Sequence, residues 1–102
     1  MSSPNTVRTI ALGFADAEER TTWGRPTFRV RETIFAGLHD DLVILRGGRE
    51  TQAARLAQDS RLRPAPDWGG DGWIAIALAD AADNELPDLL SDAHQLAGGA
   101  TR

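Results

Sequence analysis

The chain has 102 residues, a length that is sufficient for one hydrophobic core and predicts a single domain over residues 1–102. Its net charge of −4 argues against indiscriminate attraction to polyanions. It contains no cysteine, lysine or tyrosine, which excludes disulfides, thiolate metal sites, cysteine nucleophiles and Schiff-base chemistry.

The first predicted element is a helix near the N-terminus. Ser3 is a favourable N-cap, and Pro4 suits the first helical position. Apolar residues then recur at helical spacing, namely Val7, Ile10, Ala11 and Phe14. We expect this helix to end near Gly13, before the polar stretch 16–20.

Three short antiparallel strands are predicted next. In the first, apolar Phe28 and Val30 alternate with polar residues, namely Thr27, Arg29 and Arg31. The second covers residues 33–38, and a polar turn at 39–41 leads to the third strand, 42–45, which is apolar on both faces.

The second half of the chain mixes helix, loop and strand signals. Gly47-Gly48 breaks the chain, residues 50–58 favour a short helix, and residues 63–72 form a Pro/Gly-rich loop. Trp73 opens a last strand with two faces, one carrying Ile74, Ile76 and Leu78 and the other Trp73, Ala75 and Ala77.

A final helix is predicted after Asp83-Asn84, which we expect to cap it, with Pro87 tolerated in the first turn. The tail 98–102 is expected to be frayed. The longest apolar stretch, 74–79, is too short to cross a bilayer, and no signal peptide is evident. We therefore expect a cytoplasmic protein without a membrane segment.

The order of these elements predicts an α+β fold with an antiparallel sheet and helices packed on its apolar side. A parallel βαβ architecture is the weaker alternative. Turns rather than helices join the early strands, and parallel strands need longer connections.

Several short motifs follow one another along nearly the whole chain: Trp23-Gly24-x-Pro26-x-Phe28-Arg29-Val30, Ile34-Phe35-Ala36, Arg63-Pro64-Ala65-Pro66, Gly72-Trp73-Ile74-x-Ile76-x-Leu78 and Leu89-Leu90-x-x-Ala93. Together they resemble the MmcQ/YjbR family. The resemblance implies a double-wing α+β fold, in which paired hairpins flank helices, and members are commonly labelled DNA-binding. The family usually has Gly-Lys where this chain has Glu32-Thr33, and often a basic residue where it has Gly70-Asp71.

The arginines are the main candidate binding residues. Residues 20–63 carry a net charge of +4, whereas residues 64–102 carry −6. In an extended strand, Arg25, Arg29 and Arg31 all lie opposite Phe28 and Val30. Arg61 and Arg63 could extend this field, and arginines can hold phosphates bidentately. The alternative is a solvated face whose arginines pair with nearby acids, namely Glu32, Glu50 and Asp59.

Other candidate residues carry weaker signals. Trp68 lies in the Pro/Gly-rich loop and could stack on a base or anchor a partner, whereas Trp73 begins a strand and is expected to be structural. Asp67 and Asp71 lack the other ligands of a calcium loop, and the turn containing His39 is expected to be solvated. His94 has no second ligand at helical spacing. No metal site and no cofactor are predicted.

The leading functional hypothesis is a non-enzymatic binding module that contacts DNA, or another acidic partner, through Trp68 and the arginines. The main alternative is a protein–protein interaction or regulatory domain that uses the same surface without nucleic acid. A small-ligand-binding or enzymatic role ranks third and would require a deep apolar pocket with convergent polar groups.

Overall fold

More of the described residues lie in strands than in helices. The computed structural model describes residues 3–22, 24–48, 55–65 and 72–98. Residues 55–58 are helical, and the other elements are α1 (Pro4–Leu12), β1 (Ala17–Thr22), β2 (Arg25–Val30), β3 (Thr33–His39), β4 (Leu42–Arg46), β5 (Leu62–Pro64), β6 (Trp73–Ala77) and α2 (Leu86–Leu96). The fold is α+β, as expected.

The six strands form one antiparallel sheet in the order β1-β2-β3-β4-β6-β5. Strands β1 to β4 are neighbours in sequence and in space, and β6 lies between β4 and the edge strand β5. The position of β4 inside the sheet explains why its sequence is apolar on both faces. Val43 and Leu45 belong to the main core, and Ile44 belongs to a second cluster.

The main core lies between the sheet and the helices. Helix α1 begins as predicted, with the Thr6 N–H donating to Ser3 Oγ over 3.2 Å. Both helices place apolar side chains against one face of the sheet, and α2 contacts β3 and β4. The buried helical residues are Val7, Ala11, Leu86, Leu90 and Ala93, and they pack with strand residues including Phe28, Val30 and Ile76.

A smaller apolar cluster occupies the opposite face, which we call the open face because α1 and α2 pack on the other side. Its buried residues are Ile44, Ala65, Trp73 and Ala75, with Ile34 and Leu42 partly buried beside them. The two faces predicted for the last strand are therefore confirmed. Ile74 and Ile76 join the main core, while Trp73 and Ala75 join this cluster.

Two strands were not predicted. Strand β1 falls in the stretch that the sequence presents as polar, because it is an edge strand whose residues are half-buried or exposed. Strand β5 falls at the start of the predicted loop 63–72 and has only three residues. Of that loop, residues 66–71 lie outside the described residues, as do 50–54 of the predicted second helix and 99–102 of the tail.

The start of α2 also differs from the prediction. Glu85, not Asp83-Asn84, occupies the N-cap position, and its side chain makes no capping hydrogen bond there. Instead its carboxylate accepts from the Ala82 N–H over 2.7 Å. Pro87 lies in the first turn, as expected. Within the described residues, no helix has the length and apolar character needed to cross a membrane.

The β2–β3 turn changes the prediction for Arg31. Val30 pairs with Thr33, so Arg31 and Glu32 form a two-residue turn, with φ of 51° and 73°. Turns with positive φ at both central residues favour Asn-Gly. Arg31 therefore does not continue the strand, and the expectation that it projects beside Arg29 is wrong.

Glycine at position 32 should relieve backbone strain in this turn. Glu32→Ala is the matched control, because it removes the same carboxylate but keeps a Cβ at positive φ. We expect Glu32→Gly to be more stable than Glu32→Ala by about 1 kcal/mol. Urea unfolding of both variants measures this difference, and equal stability would contradict a strained turn.

Gly47 allows a close backbone contact at the end of β4. Its N–H donates to the Gly72 carbonyl over 2.6 Å, and a Cβ at position 47 would lie 2.7 Å from that oxygen. It would also lie 3.3 Å from Ile74 Cγ1. Side-chain motion cannot relieve a clash with backbone.

We therefore expect Gly47→Ala to lower the free energy of unfolding by about 1–3 kcal/mol. Gly13→Ala is the control, because Gly13 has φ of −78° and its Cβ would lie 3.3 Å from the Ile10 carbonyl oxygen, a tight contact but a longer one than at Gly47. Thermal or urea unfolding provides the comparison. If both variants lost the same stability, the close contact at Gly47 would not be the cause.

Candidate nucleic-acid interface

The polar end of the open face is formed by β1 and β2. Their register places Thr22 opposite Arg25, Arg20 opposite Thr27 and Glu18 opposite Arg29. Directly opposed residues of antiparallel strands share a face. Because Phe28 and Val30 face the helices, these side chains lie on the other side of the sheet.

A chain of hydrogen bonds fixes Arg29 on this face. Its Nη2 donates to Thr22 Oγ1 over 2.8 Å, and the hydroxyls of Thr22 and Thr27 are 3.1 Å apart. Thr27 Oγ1 donates to the Arg20 carbonyl over 2.8 Å. Since each hydroxyl has one proton, Thr22 must donate to Thr27. Thr27 is buried, with 1% of its surface exposed.

Arg25 and Arg29 have no carboxylate partner among the described residues. Glu18 lies opposite Arg29 but binds Arg20 over 2.7 Å, and Arg20 also binds Glu32 over 3.0 Å. The Nε of Arg29 is buried and has no hydrogen-bond acceptor in the described part of the chain. A buried donor without an acceptor costs about 1–3 kcal/mol.

Two more arginines lie on the open face, on strands β4 and β5, away from the β1–β2 end. Arg63 of β5 pairs in register with Ala75 of the second cluster and is exposed. Arg46 lies over the Trp73 ring, 4.6 Å from its centroid, and its Nε donates to the Ile34 carbonyl over 2.8 Å. Burial lowers the pKa of Arg46 from its ordinary value.

Arg46 was missed in the sequence, although a signal was present. It follows Leu42 and Ile44 at alternate positions, which is the spacing of residues on one face of a strand. The sequence interpretation ended this strand at Leu45, one residue before its structural end.

Arg31 and Arg61 are not brought together with the arginines of the open face. Arg31 lies in the β2–β3 turn, where it pairs with Asp16 over 3.6 Å. Arg61 precedes β5 and binds Glu85, which precedes α2 on the helical side. Trp68 lies outside the described residues.

All five N–H donors of Arg61 are engaged. Its Nε and Nη2 bind the two carboxylate oxygens of Asp59 over 3.0 and 2.7 Å, and Nη1 and Nη2 bind those of Glu85, both over 2.8 Å. Nη1 also donates to the Asp80 carbonyl over 2.9 Å. Hydrogen bonding from Arg61 lowers the pKa of both carboxyl groups and raises that of Arg61. Arg61 thus joins three segments.

The Arg61 ion pairs should stabilise the protein least in acid. Because the folded-state pKa values of Asp59 and Glu85 are lowered, their contribution is present above the ordinary carboxyl pKa values and is lost as pH falls through the lowered ones. We expect Arg61→Gln to be less stable than wild type at pH 7, with a difference that narrows below about pH 4.

Urea unfolding from pH 7 to pH 2.5 tests this expectation. Arg63→Gln is the control, because Arg63 is exposed and has no carboxylate partner in the described ranges. A constant difference between Arg61→Gln and wild type across the pH range would exclude a stabilising role of these ionised carboxylates.

The histidines have structural surroundings. His94 is buried, its Nε2 lies 2.9 Å from the Ala15 carbonyl, and its ring stacks on Phe14 and meets Phe35 edge-on. His39 lies at the end of β3, 3.5 Å from Asp40. No group of three or more potential metal-binding side chains occurs within the described residues.

In the part of the chain that the structure describes, the strands of the open face therefore carry more basic than acidic side chains, whereas helix α2 is acidic. Strand residues on the open face include one glutamate, Glu18, and five arginines, namely Arg20, Arg25, Arg29, Arg46 and Arg63. Helix α2 instead carries Asp88 and Asp92 and follows Glu85. Three of the five predicted arginines thus share this face.

The sequence profile of the YjbR family matches residues 12–96. The chain belongs to the YjbR family. The resemblance that the ordered motifs suggest is therefore confirmed. This YjbR protein is also similar to a crystal structure of Deinococcus radiodurans protein DR2400, described by its domain DUF419. The match has a TM-score of 0.76 and 17% identity and covers 94% of this chain and 78% of the other, so it supports the fold. No curated protein matches the sequence.

Proposed function

We propose that this YjbR protein is a non-enzymatic, cytoplasmic binding module that contacts nucleic acid through the open face of its sheet. The observation that carries the proposal is the charge distribution. Arg25, Arg29 and Arg63 share the open face and have no carboxylate partner in the described part of the chain. Phosphate contacts from arginine supply most of the affinity in sequence-independent binding.

The distribution supports a modest interface. Arg25 and Arg29 lie on β2, whereas Arg63 lies on β5 at the far edge, so four inter-strand spacings separate them. This is about 19 Å at the usual spacing. Between them lies the buried apolar cluster. The contacts would therefore reach phosphates at two separate places, and Arg31 and Arg61 would take no part.

An oligonucleotide titration tests the proposal. Fluorescence anisotropy with labelled duplex and single-stranded DNA should show binding near 50 mM salt that weakens steeply as salt increases, on the order of one power of salt concentration per phosphate contact. The Arg25→Ala/Arg63→Ala double variant should reduce the slope of log K against log salt by about 2.

Arg8→Ala is the matched control, because Arg8 pairs with Glu19 on the helical side over 2.7 Å. It should bind DNA as wild type does. Arg31→Ala should do the same, because Arg31 lies in the β2–β3 turn and pairs with Asp16. Absence of binding to either DNA at low salt would overturn the proposal. So would a double variant with an unchanged salt slope. An acidic protein recovered in a pull-down that needs Arg25, with no DNA binding, would favour an interaction domain instead.

A further inference from the structure

We propose that Arg25 and Arg29, the latter held in place by Thr22, form a site for one dianionic phosphate monoester group. The proposal rests on the proposed function and narrows it, because it assigns the β1–β2 end of the open face a preference for a terminal phosphate monoester over the internal phosphodiesters of a nucleic acid. It is built from the direction of Arg29, the register of Arg25 and the charge of the two side chains.

Arg29 extends along the sheet toward Arg25. Its cross-strand neighbour is Glu18, yet its Nη2 reaches Thr22 Oγ1, four residues along β1 from Glu18. Thr22 lies opposite Arg25 in the register. The guanidinium of Arg29 therefore lies on the open face close to the backbone position of Arg25.

This direction also explains the burial of Thr27. Thr27 lies between Arg25 and Arg29 on β2, and it is buried on a face that α1 and α2 do not cover. The Arg29 side chain passes it to reach Thr22, which bonds the Thr27 hydroxyl. A chain of three hydrogen bonds runs from Arg29 through the hydroxyls of Thr22 and Thr27 to the Arg20 carbonyl. It holds the guanidinium in this position.

The groups of this site that remain free for a ligand are hydrogen-bond donors. Thr22 accepts from Arg29 and gives its own proton to Thr27, so its hydroxyl has no proton left for a ligand. Nε of Arg29 is buried, but its Nη1 has no acceptor in the described part of the chain and its Nη2 has a second proton. Arg25 has no ion pair there either. A ligand that only accepts hydrogen bonds fits this arrangement.

Charge favours a phosphate monoester among such ligands. Two guanidinium groups carry two positive charges, and a phosphate monoester carries about −1.5 to −2 at pH 7. A carboxylate or a phosphodiester carries only one negative charge and would therefore interact less strongly with the two guanidinium groups. Arginine also suits phosphate by its planar, bidentate geometry.

The first experiment compares methyl phosphate with dimethyl phosphate by isothermal titration at constant ionic strength. We expect methyl phosphate to bind more tightly and its affinity to rise about fourfold from pH 5.5 to 7.5, because its second ionisation occurs near pH 6. Dimethyl phosphate keeps its charge and controls for titration of the protein. The other charged or titratable groups near this site are Glu18, Arg20 and His39 on the neighbouring strands and Glu32 of the β2–β3 turn, which binds Arg20.

Variants identify the residues. Arg25→Ala and Arg29→Lys should each weaken methyl phosphate binding by about tenfold, since each loses charge-assisted hydrogen bonds or their fork geometry. Glu18→Gln should strengthen binding, because it removes a neighbouring negative charge. Arg8→Ala should leave it unchanged. Thr22→Val should weaken it by releasing Arg29, and circular dichroism verifies that each variant is folded.

The source of the phosphate is distinguished with oligonucleotides. Tighter binding of a 5′-phosphorylated single strand than of the same strand with a 5′-hydroxyl would identify a nucleic-acid end as the ligand, whereas equal binding together with methyl phosphate binding would identify a free phosphate compound.

Equal affinity for both esters, or binding independent of Arg25 and Arg29, would overturn the site. Salt-dependent DNA binding without methyl phosphate binding would overturn the site alone. Methyl phosphate binding without DNA binding would overturn the proposed function alone.

Discussion

The register of β2 is the constraint on which the binding surface depends. Phe28 and Val30 are buried against the helices, so the alternation of the strand places Arg25, Thr27 and Arg29 on the other face. A shift of one residue would bury arginines in the main core. The same hydrophobic burial that stabilises the sheet therefore positions the guanidinium groups on one surface.

The open face combines this polar end with an apolar cluster. Ile44 and Trp73 are buried there although they belong to inner strands whose other residues fill the main core. Arg46 lies over this cluster, because its guanidinium contacts the Trp73 ring while its Nε binds the carbonyl of Ile34. The positive charges thus lie around the cluster and leave its centre apolar.

Periodicity predicted most of the fold and part of the site. The alternation in β2 and β6 and the two-sided pattern of β4 correctly gave the sheet and its faces. The charged edge strand β1 was missed, since an edge strand needs little apolar surface. The sequence could not distinguish Arg31 and Arg61 from the arginines of the open face. A turn with positive φ and an ion pair between distant residues leave no local sequence pattern.

The strand order has a consequence for synthesis on the ribosome. Strands β1 to β4 are paired between sequence neighbours, so this meander can assemble as soon as residue 46 has emerged. Strand β5 is made before β6 but pairs only with β6. Until residues 73–77 arrive, β4 keeps a free apolar edge and the nascent chain needs protection from association there. Strand β6 at residues 73–77 must emerge before that edge is covered, and α2 at residues 86–96 docks later still.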